Sequence, residues 1–425
     1  MNNYLESLIL LRRVLHSQPE SGWTEFLTTA FIAEKLQEYG FSIFLGEDIV
    51  AREFISGTDN EGIEKGILRA QQKGVSSTLL KQMNGVTGCM GVLETHRPGK
   101  TIALRFDIDA VDVSELATSE HFPFREGFHS RNPGCMHACG HDGHTAVGLM
   151  LAQWLYENKA SLTGSFKLIF QPAEEGTRGA KPMAEKGIVD DVDYLLCAHL
   201  SFIASSGELV IDPQQFLSTK KLKVIFNGKS AHAGAQPHLG RNALAAACQA
   251  TMQLLAIPRH GSGISRINIG ALHSGQASNV IPDRAEMKLE VRGETDEIND
   301  YMFQQVKNII AGCSLSYQVE YNISTEGQAN SLLNDEELIK LLGKVINDVP
   351  EITSPVQHRL FGGSEDATVL IKRVQQKGGK GIYFIVGADR TSGHHQSDFD
   401  FDEKMMLTMF KVYCQMIMHL SNQQH

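Results

Sequence analysis

Four short apolar stretches of this chain, at 101–108, 165–170, 194–198 and 381–386, are each followed by residues that can bind a metal or move a proton. Asp107 and Asp109 end the first, and Glu174 and Glu175 follow the second. His199 closes the third, and His394 and His395 follow the fourth. Helical patterns such as 143–158 lie between them. Strand therefore alternates with helix, and the expected fold class is α/β with a mixed, mostly parallel sheet. Open sheets of this kind bind ligands at the carboxyl ends of their strands. Chemistry and expected position coincide, which leaves few ways to fold the chain.

The densest stretch is Cys135-Met136-His137-Ala138-Cys139-Gly140-His141-Asp142-Gly143-His144. Cys139 and His141 are two apart, and from a loop both can face one ion. Soft and borderline donors of this kind suit a transition metal better than calcium or magnesium. A closed structural zinc site would want more thiolates, and no second cysteine pair exists, so Cys135 reads as a bystander. His137 and His144 either orient a ligand from behind or are simply hydrogen-bonded in the loop. In Gln171-Pro172-Ala173-Glu174-Glu175-Gly176 the adjacent carboxylates would point in opposite directions from an extended backbone. One can then hold a metal while the other takes a proton from water and delivers it to a leaving amine. The bland alternative is two solvated glutamates. Asp107 and Asp109 share one face of a strand end, where a carboxylate can receive a ligand imidazole N–H and fix its tautomer. A cap or turn is the other reading for them.

The middle of the chain has a different rhythm. Strand patterns at 220–227, 266–272, 286–292 and 316–323 enclose helical patterns at 241–255 and 296–311. The order β-α-β-β-α-β is that of a ferredoxin-like unit. It is expected as an inserted domain at 216–325, with 1–215 and 326–425 forming the larger domain. In Gly228-Lys229-Ser230-Ala231-His232-Ala233-Gly234 a histidine follows a strand, and Asn279 and Arg292 lie on the neighbouring hairpin. An imidazole, an amide and a guanidinium together can grip a substrate carbonyl and carboxylate. Helices are expected at 4–17, 24–39 and 402–420. The polar stretch 46–84 reads as an insertion without a clear pattern.

A formal charge of -10 argues against nucleic acid or an anionic membrane as partner. No apolar run is long enough to span a bilayer. The opening residues lack the basic start and unbroken apolar stretch of a secretory signal. Seven scattered cysteines, an odd number, fit reduced thiols rather than a disulfide frame. Together these lead us to expect a cytoplasmic protein.

With these residues in hand, the chain resembles the M20 metallopeptidases, in the amidohydrolase branch that includes hippurate and indoleacetyl-amino-acid hydrolases. The resemblance runs nearly end to end. It rests on 136–144, 170–178, 230–234, 363–368 and 394–403, and on the polar stretch before Gly85. It implies a catalytic domain holding two divalent metal ions and a lid domain that also mediates dimerisation. Cys139, His141, Glu175, His199 and His395 would be the metal ligands. Glu174 would be the general base, with His232 and Asp109 also in the catalytic set. Asn279 and Arg292 would bind substrate from the lid, and His232 would reach a partner's active site.

Two departures refine this picture. Many M20 enzymes carry a ligand histidine where Asp107 stands, and His141 would supply the missing nitrogen. Asp112-Val113-Ser114-Glu115 replaces the usual proline-containing continuation, as in the aminobenzoyl-glutamate subgroup. The implied activity is hydrolysis of the amide of an N-acyl amino acid, p-aminobenzoyl-glutamate above all. A broader N-acyl-amino-acid deacylase, a dipeptidase and a non-catalytic subunit completing a partner's site are the rivals. One thiolate and three imidazoles favour Zn2+, whereas the resemblance leans to Mn2+. The assembly would be a homodimer, or a heterodimer with a related chain.

Overall fold

Ile102, Leu104 and Phe106 join one hydrophobic core from strand Thr101–Asp107, while Ala103 and Arg105 face the other way. All five are buried, as expected for a strand covered on both sides. The computed structural model describes residues 2–421. In chain order the strands are β1 (Ser42–Leu45), β2 (Cys89–Glu94), β3 (Thr101–Asp107), β4 (Ser165–Gln171), β5 (Tyr194–Leu200) and β6 (Glu208–Gln214). They continue with β7 (Ser218–Asn227), β8 (Ser265–Ser274), β9 (Arg284–Gly293), β10 (Glu320–Ala329), β11 (Ser354–Leu360) and β12 (Lys380–Val386).

One sheet has the order β1-β2-β4-β3-β5-β12-β6-β11. Its centre, β4-β3-β5-β12, is parallel throughout, as is the pair β6–β11. The pairs β1–β2, β2–β4 and β12–β6 are antiparallel. This is the mixed, mostly parallel sheet expected. The sequence does not announce β11, an edge strand reading Ser-Pro-Val-Gln-His-Arg-Leu without an apolar run. Helices Asn2–His16, Phe26–Glu38, His141–Asn158 and Met405–Ser421 contribute to the same core cluster as the strands. Gly148 lets helix His141–Asn158 lie close on the sheet, because a Cβ there would meet Phe106 at 2.7 Å and Phe170 at 2.8 Å. That close seat sets the first turn of the helix, with His141 and His144, at the strand ends. No helix among the described residues is long and apolar enough to cross a membrane.

The chain divides into two compact units. The larger comprises Met1–Gln214, Leu332–Phe361 and Asp366–His425, and the smaller comprises Gln215–Ser331 with Gly362–Glu365. The smaller unit is β7, helix Ala243–Leu255, β8, β9, helix Asp296–Tyr317 and β10, in an antiparallel sheet of order β10-β7-β9-β8. This is the ferredoxin-like arrangement. Its own core sets Val224, Phe226 and Met287 of the sheet against Ala247, Met302 and Val306 of the helices. Strand β10 runs on to Ala329, which carries this unit past the boundary at 325 read from the sequence.

The stretch 46–84 is structured rather than featureless. It belongs to the larger unit and folds as two short 3-10 turns followed by helices Asn60–Gln72 and Ser77–Met83. Asp59 and Ser76 cap the two helices, accepting from the N–H groups of Glu61 and Leu79. Arg69 reaches the buried carboxylate of Glu20, and the Trp23 indole N–H donates to Ser56 O at 3.0 Å.

The first helix enters the larger unit through charge. Arg12 is fully buried and bonds Asp142 at 2.8 Å, Asp400 at 2.6 Å and Glu403 at 3.1 Å. His16, also fully buried, lies 2.7 Å from Asp142 and 3.1 Å from Glu115. Burial alone would lower the His16 pKa, but these two carboxylates outweigh it and push it up to about 9. A group whose pKa rises on folding stabilises fully below its unfolded value and loses that contribution as pH rises through the folded value. The stability difference between wild type and His16→Gln should therefore be largest below pH 6.5 and shrink as pH approaches about 9. Denaturant unfolding of metal-free protein across this range measures it; a difference independent of pH would mean that His16 is neutral in the fold.

Candidate metal centre

Three consecutive backbone N–H groups after β4 are taken up by two buried carboxylates. Glu25 accepts from Ala173 N at 2.8 Å, while Asp109 accepts from Glu174 N at 3.0 Å and from Glu175 N at 2.9 Å. Burial and the nearby Asp109 push the Glu25 carboxyl up to about 8. The segment is thereby forced into a turn, with Ala173 in the left-handed region at φ 51°. This corrects the expectation of an extended backbone with diverging glutamates. An oxygen of Glu174, an oxygen of Glu175 and a nitrogen of His141 all lie within 4.8 Å of one another. The two carboxylates converge.

Imidazole tautomers follow from the backbone around them. His141 opens its helix just after Gly140, whose φ of 90° supplies the sharp entry. Its Nδ1 donates to Asp109 O at 2.9 Å, and its Nε2 is buried with no hydrogen-bond partner. His199 Nδ1 donates to Leu200 O at 2.6 Å, and its Nε2 lies 3.5 Å from Cys139 Sγ. Burial and the neighbouring His144 and His394 rings hold the His199 pKa well below its usual value, so the ring is neutral and can donate a lone pair. His144 accepts from Leu200 N at 2.9 Å through Nε2 and donates through Nδ1 to Asp107 at 2.5 Å. Both its nitrogens are used in hydrogen bonds, and it positions the peptide that orients His199. The imidazole N–H expected at the Asp109 carboxylate goes to the Asp109 carbonyl instead, and the carboxylate holds the glutamate turn.

Cys139, His141 and His199 bring one donor atom each within 4.8 Å of one another, and so do Cys139, Glu175 and His395. The thiol is common to both groups. His395 has a left-handed backbone, φ 64°, and its N–H donates to Ala138 O at 2.9 Å, which ties its loop to the cysteine loop. Its Nε2 comes within 3.1 Å of Glu175 Oε1, an oxygen that makes no hydrogen bond. Burial, Glu175 and Glu174 push the Cys139 thiol well above its ordinary pKa. An orphaned imidazole nitrogen, an orphaned carboxylate oxygen and a thiol in an acidic pocket are what a cation would satisfy. The donor set fits a transition metal held by Cys139, His141, His199, Glu175 and His395. Cys135 is buried with Ser21 Oγ 3.5 Å away and stands in neither group. His137 is buried with neither nitrogen hydrogen-bonded, so it is not the loop anchor that one reading made it. All seven cysteines are free.

The sequence model of peptidase family M20/M25/M40 matches residues 103–419. The chain belongs to this family. It is 48% identical to a homolog, from Haemophilus influenzae, of one of the chains of p-aminobenzoyl-glutamate hydrolase, over 99% of this chain and 100% of that one. It is 41% identical to the indole-3-acetyl-aspartic acid hydrolase of Enterobacter agglomerans, over 96% of this chain and 95% of that one. The crystal structure of an aminobenzoyl-glutamate utilization protein from Klebsiella pneumoniae superposes with a TM-score of 0.85 at 34% identity, covering 100% of this chain and 98% of that one. The M20 chain is a hydrolase, and side chains that could hold a metal ion cluster at the strand ends of its larger unit.

In the smaller unit the three expected substrate residues do not come together. Ala233 N donates to Asn279 O at 3.0 Å, so the His232 loop and Asn279 are neighbours. His232 Nδ1 accepts from Gly234 N and Ala235 N, at 3.2 and 3.1 Å, so its proton sits on Nε2 as a donor. Arg292, however, is at the far end of the ten-residue strand β9, roughly 25 Å along the strand from the hairpin that carries Asn279. Its guanidinium is engaged by Glu290 through two 3.1 Å contacts. The grouping of Arg292 with His232 and Asn279 is therefore corrected.

The sequence reading also missed the supports. Glu25, and Arg105 with Asp366, hold the loops that carry the donors. Arg105 Nε donates to Gln171 at 2.8 Å, Nη1 to Asp107 at 2.6 Å and Nη2 to Asp366 at 3.1 Å. A charge inside an otherwise apolar strand was the available signal, since such a group must be paired.

Because Cys139 belongs to both donor groups, Cys139→Ala should strip metal from the protein and abolish turnover. Cys135→Ala should keep its metal and cost about 1 kcal/mol in packing. Elemental analysis beside unfolding curves tests this pair; equal metal loss from both would require a two-thiol site.

Proposed function

We propose that this enzyme hydrolyses the amide bond of p-aminobenzoyl-glutamate, releasing p-aminobenzoate and glutamate. The observation that carries the reading is the convergence of Glu174 with two donor groups sharing Cys139, in a chain whose M20 relatives are named for that substrate. Two divalent ions, Zn2+ or Mn2+, would be held by Cys139 with His141 and His199 and by Cys139 with Glu175 and His395. When bound, such ions polarise an amide carbonyl and acidify water.

The rest of the chemistry belongs to the chain. Glu174, whose carboxylate lies 4.0 Å from His141 Nε2, takes the proton of the attacking water and passes it to the glutamate amine as it leaves. Asp109 holds the backbone of that turn so that the base and the ligand Glu175 keep their spacing. His232, presenting an Nε2–H, would donate to the substrate carbonyl oxygen, and Asn279 would bind beside it in the assembled enzyme. The partner would be a second copy or a related companion chain, since the names of two relatives make each of them one chain of a larger hydrolase. The intact base and full donor set favour an enzyme over a silent member of such a pair.

The Enterobacter relative supports a second reading, in which indole-3-acetyl-aspartate or a wider set of N-acyl amino acids is the substrate. Metal-reconstituted protein assayed on p-aminobenzoyl-glutamate and indole-3-acetyl-aspartate, with and without the companion chain, separates the two. Faster turnover of the second substrate would replace our reading by that one.

Glu174→Gln should retain metal and lose turnover by roughly 10²–10⁴-fold, whereas Glu175→Ala should lose metal first. Parallel loss of metal and activity in Glu174→Gln would exchange the roles of the two glutamates. If His232 acts across a dimer, mixing His232→Ala with Glu174→Gln protein should restore part of the activity. No recovery after demonstrated exchange of chains would confine His232 to its own chain.

A further inference from the structure

Strand β5 ends on a ligand, but the chain beyond it is shaped with equal care. After His199 and Leu200 it turns through Ser201, Phe202 and Ile203. The residues on either side of Phe202 both adopt left-handed backbone, φ 62° at Ser201 and 51° at Ile203. Isoleucine is β-branched and strained there, and such strain persists only where the surroundings impose it. They do so here. Ser201 N donates to Val386 O at 2.9 Å, and Arg359 donates to Ile203 O at 2.6 Å while its other bonds, both 2.9 Å, go to Glu208.

This clamped turn presents the ring of Phe202. Its centroid lies 5.7 Å from the ring of His199, 5.1 Å from His394 and 4.7 Å from Phe361. Despite three aromatic neighbours the Phe202 side chain is only half-buried. A phenylalanine that served packing alone would be enclosed and would not need two strained residues to hold it. Phe202 thus has three rings around it, keeps part of its surface exposed, and lies next to His199.

We propose that Phe202, backed by Phe361 and His394, is the platform on which the aromatic acyl group of the substrate stacks. The inference rests on the amidohydrolase reading above and assigns its acyl selectivity to a residue. In an aroyl amide the ring is bonded directly to the carbonyl carbon that must sit at the metal ligands. The ring therefore falls within the 4.5–7 Å range of stacked or edge-on aromatic pairs from a side chain touching His199. An aliphatic acyl group would gain little from the same surface.

The test uses metal-loaded wild type, Phe202→Leu and Phe202→Tyr, with p-aminobenzoyl-glutamate and N-acetyl-glutamate as substrates. Phe202→Leu should lower kcat/KM for the aroyl substrate roughly 3–10-fold more than for the acetyl one, the range expected of one aromatic pair. Phe202→Tyr should restore the preference, and metal content should be equal in all three. Phe202→Met serves the same purpose should the leucine variant fold poorly. Equal losses on both substrates, or an unchanged ratio, would make Phe202 a structural residue and overturn the proposal. Wild type that cleaves both substrates without preference would also overturn it while leaving the amidohydrolase reading intact. Wild type that cleaves neither would remove that reading, and this inference with it.

Discussion

A guanidinium sealed beneath the ends of the central strands organises the larger unit. Arg105 is 1% exposed, and burying its charge is tolerable only because every arm of the fork finds a carbonyl or carboxylate oxygen. Each partner then does a second job. Asp107 takes the His144 N–H, and Asp366 takes the N–H groups of Gly179 and Ala180. One charge thus fixes β3, β4 and the starts of three helices relative to each other. Its cost is met by the order it imposes on the loops above it.

From that base the site is assembled through peptides rather than through side-chain packing. His144 holds the N–H of Leu200, and the carbonyl of Leu200 holds His199. Asp109 uses its carbonyl on His141 and its carboxylate on the glutamate turn. These bonds fix the Nδ1 side of His141 and His199 and leave the Nε2 of each in the donor cluster with Cys139. The left-handed residues Ala173, Ser201 and His395 all fall within two positions of a donor or the base. Regular strand geometry ends there, and irregular backbone is what brings four separate strand ends to one point.

Much of this was legible beforehand, because it depends on pattern. The apolar runs marked the parallel strands and the βαββαβ rhythm marked the smaller unit, while Cys139, His141, Glu175, His199 and His395 stood out as donors only through the family resemblance. What escaped notice depends on contacts between distant residues. Nothing near Glu25 says that its carboxylate will meet Ala173, and nothing near Arg292 says that Glu290 will engage it. The convergence of Glu174 and Glu175 follows from a turn imposed by Asp109, so reading them as extended reversed their directions. In the stretch 46–84 the apolar positions that pack on the core, Ile63, Ile67 and Ala70, are too few among charged neighbours to stand out as a pattern. Phe202 gave no signal at all, since one phenylalanine after a strand is ordinary until its neighbours' backbone angles are known.

The position of β12 in the sheet has a consequence for how the protein comes into being. This strand, from Lys380 to Val386, lies between β5 and β6, which are separated from it in sequence by the whole ferredoxin-like unit. During synthesis the sheet therefore waits with a gap at its centre, and β5 keeps an unpaired edge until the last part of the chain leaves the ribosome. The smaller unit, whose strands are all local, can close first. His395 arrives just behind β12, so Cys139 and Glu175 gain their third companion only once the sheet is whole. Filling that gap and completing the donor set are one event, and a truncated or stalled chain has neither.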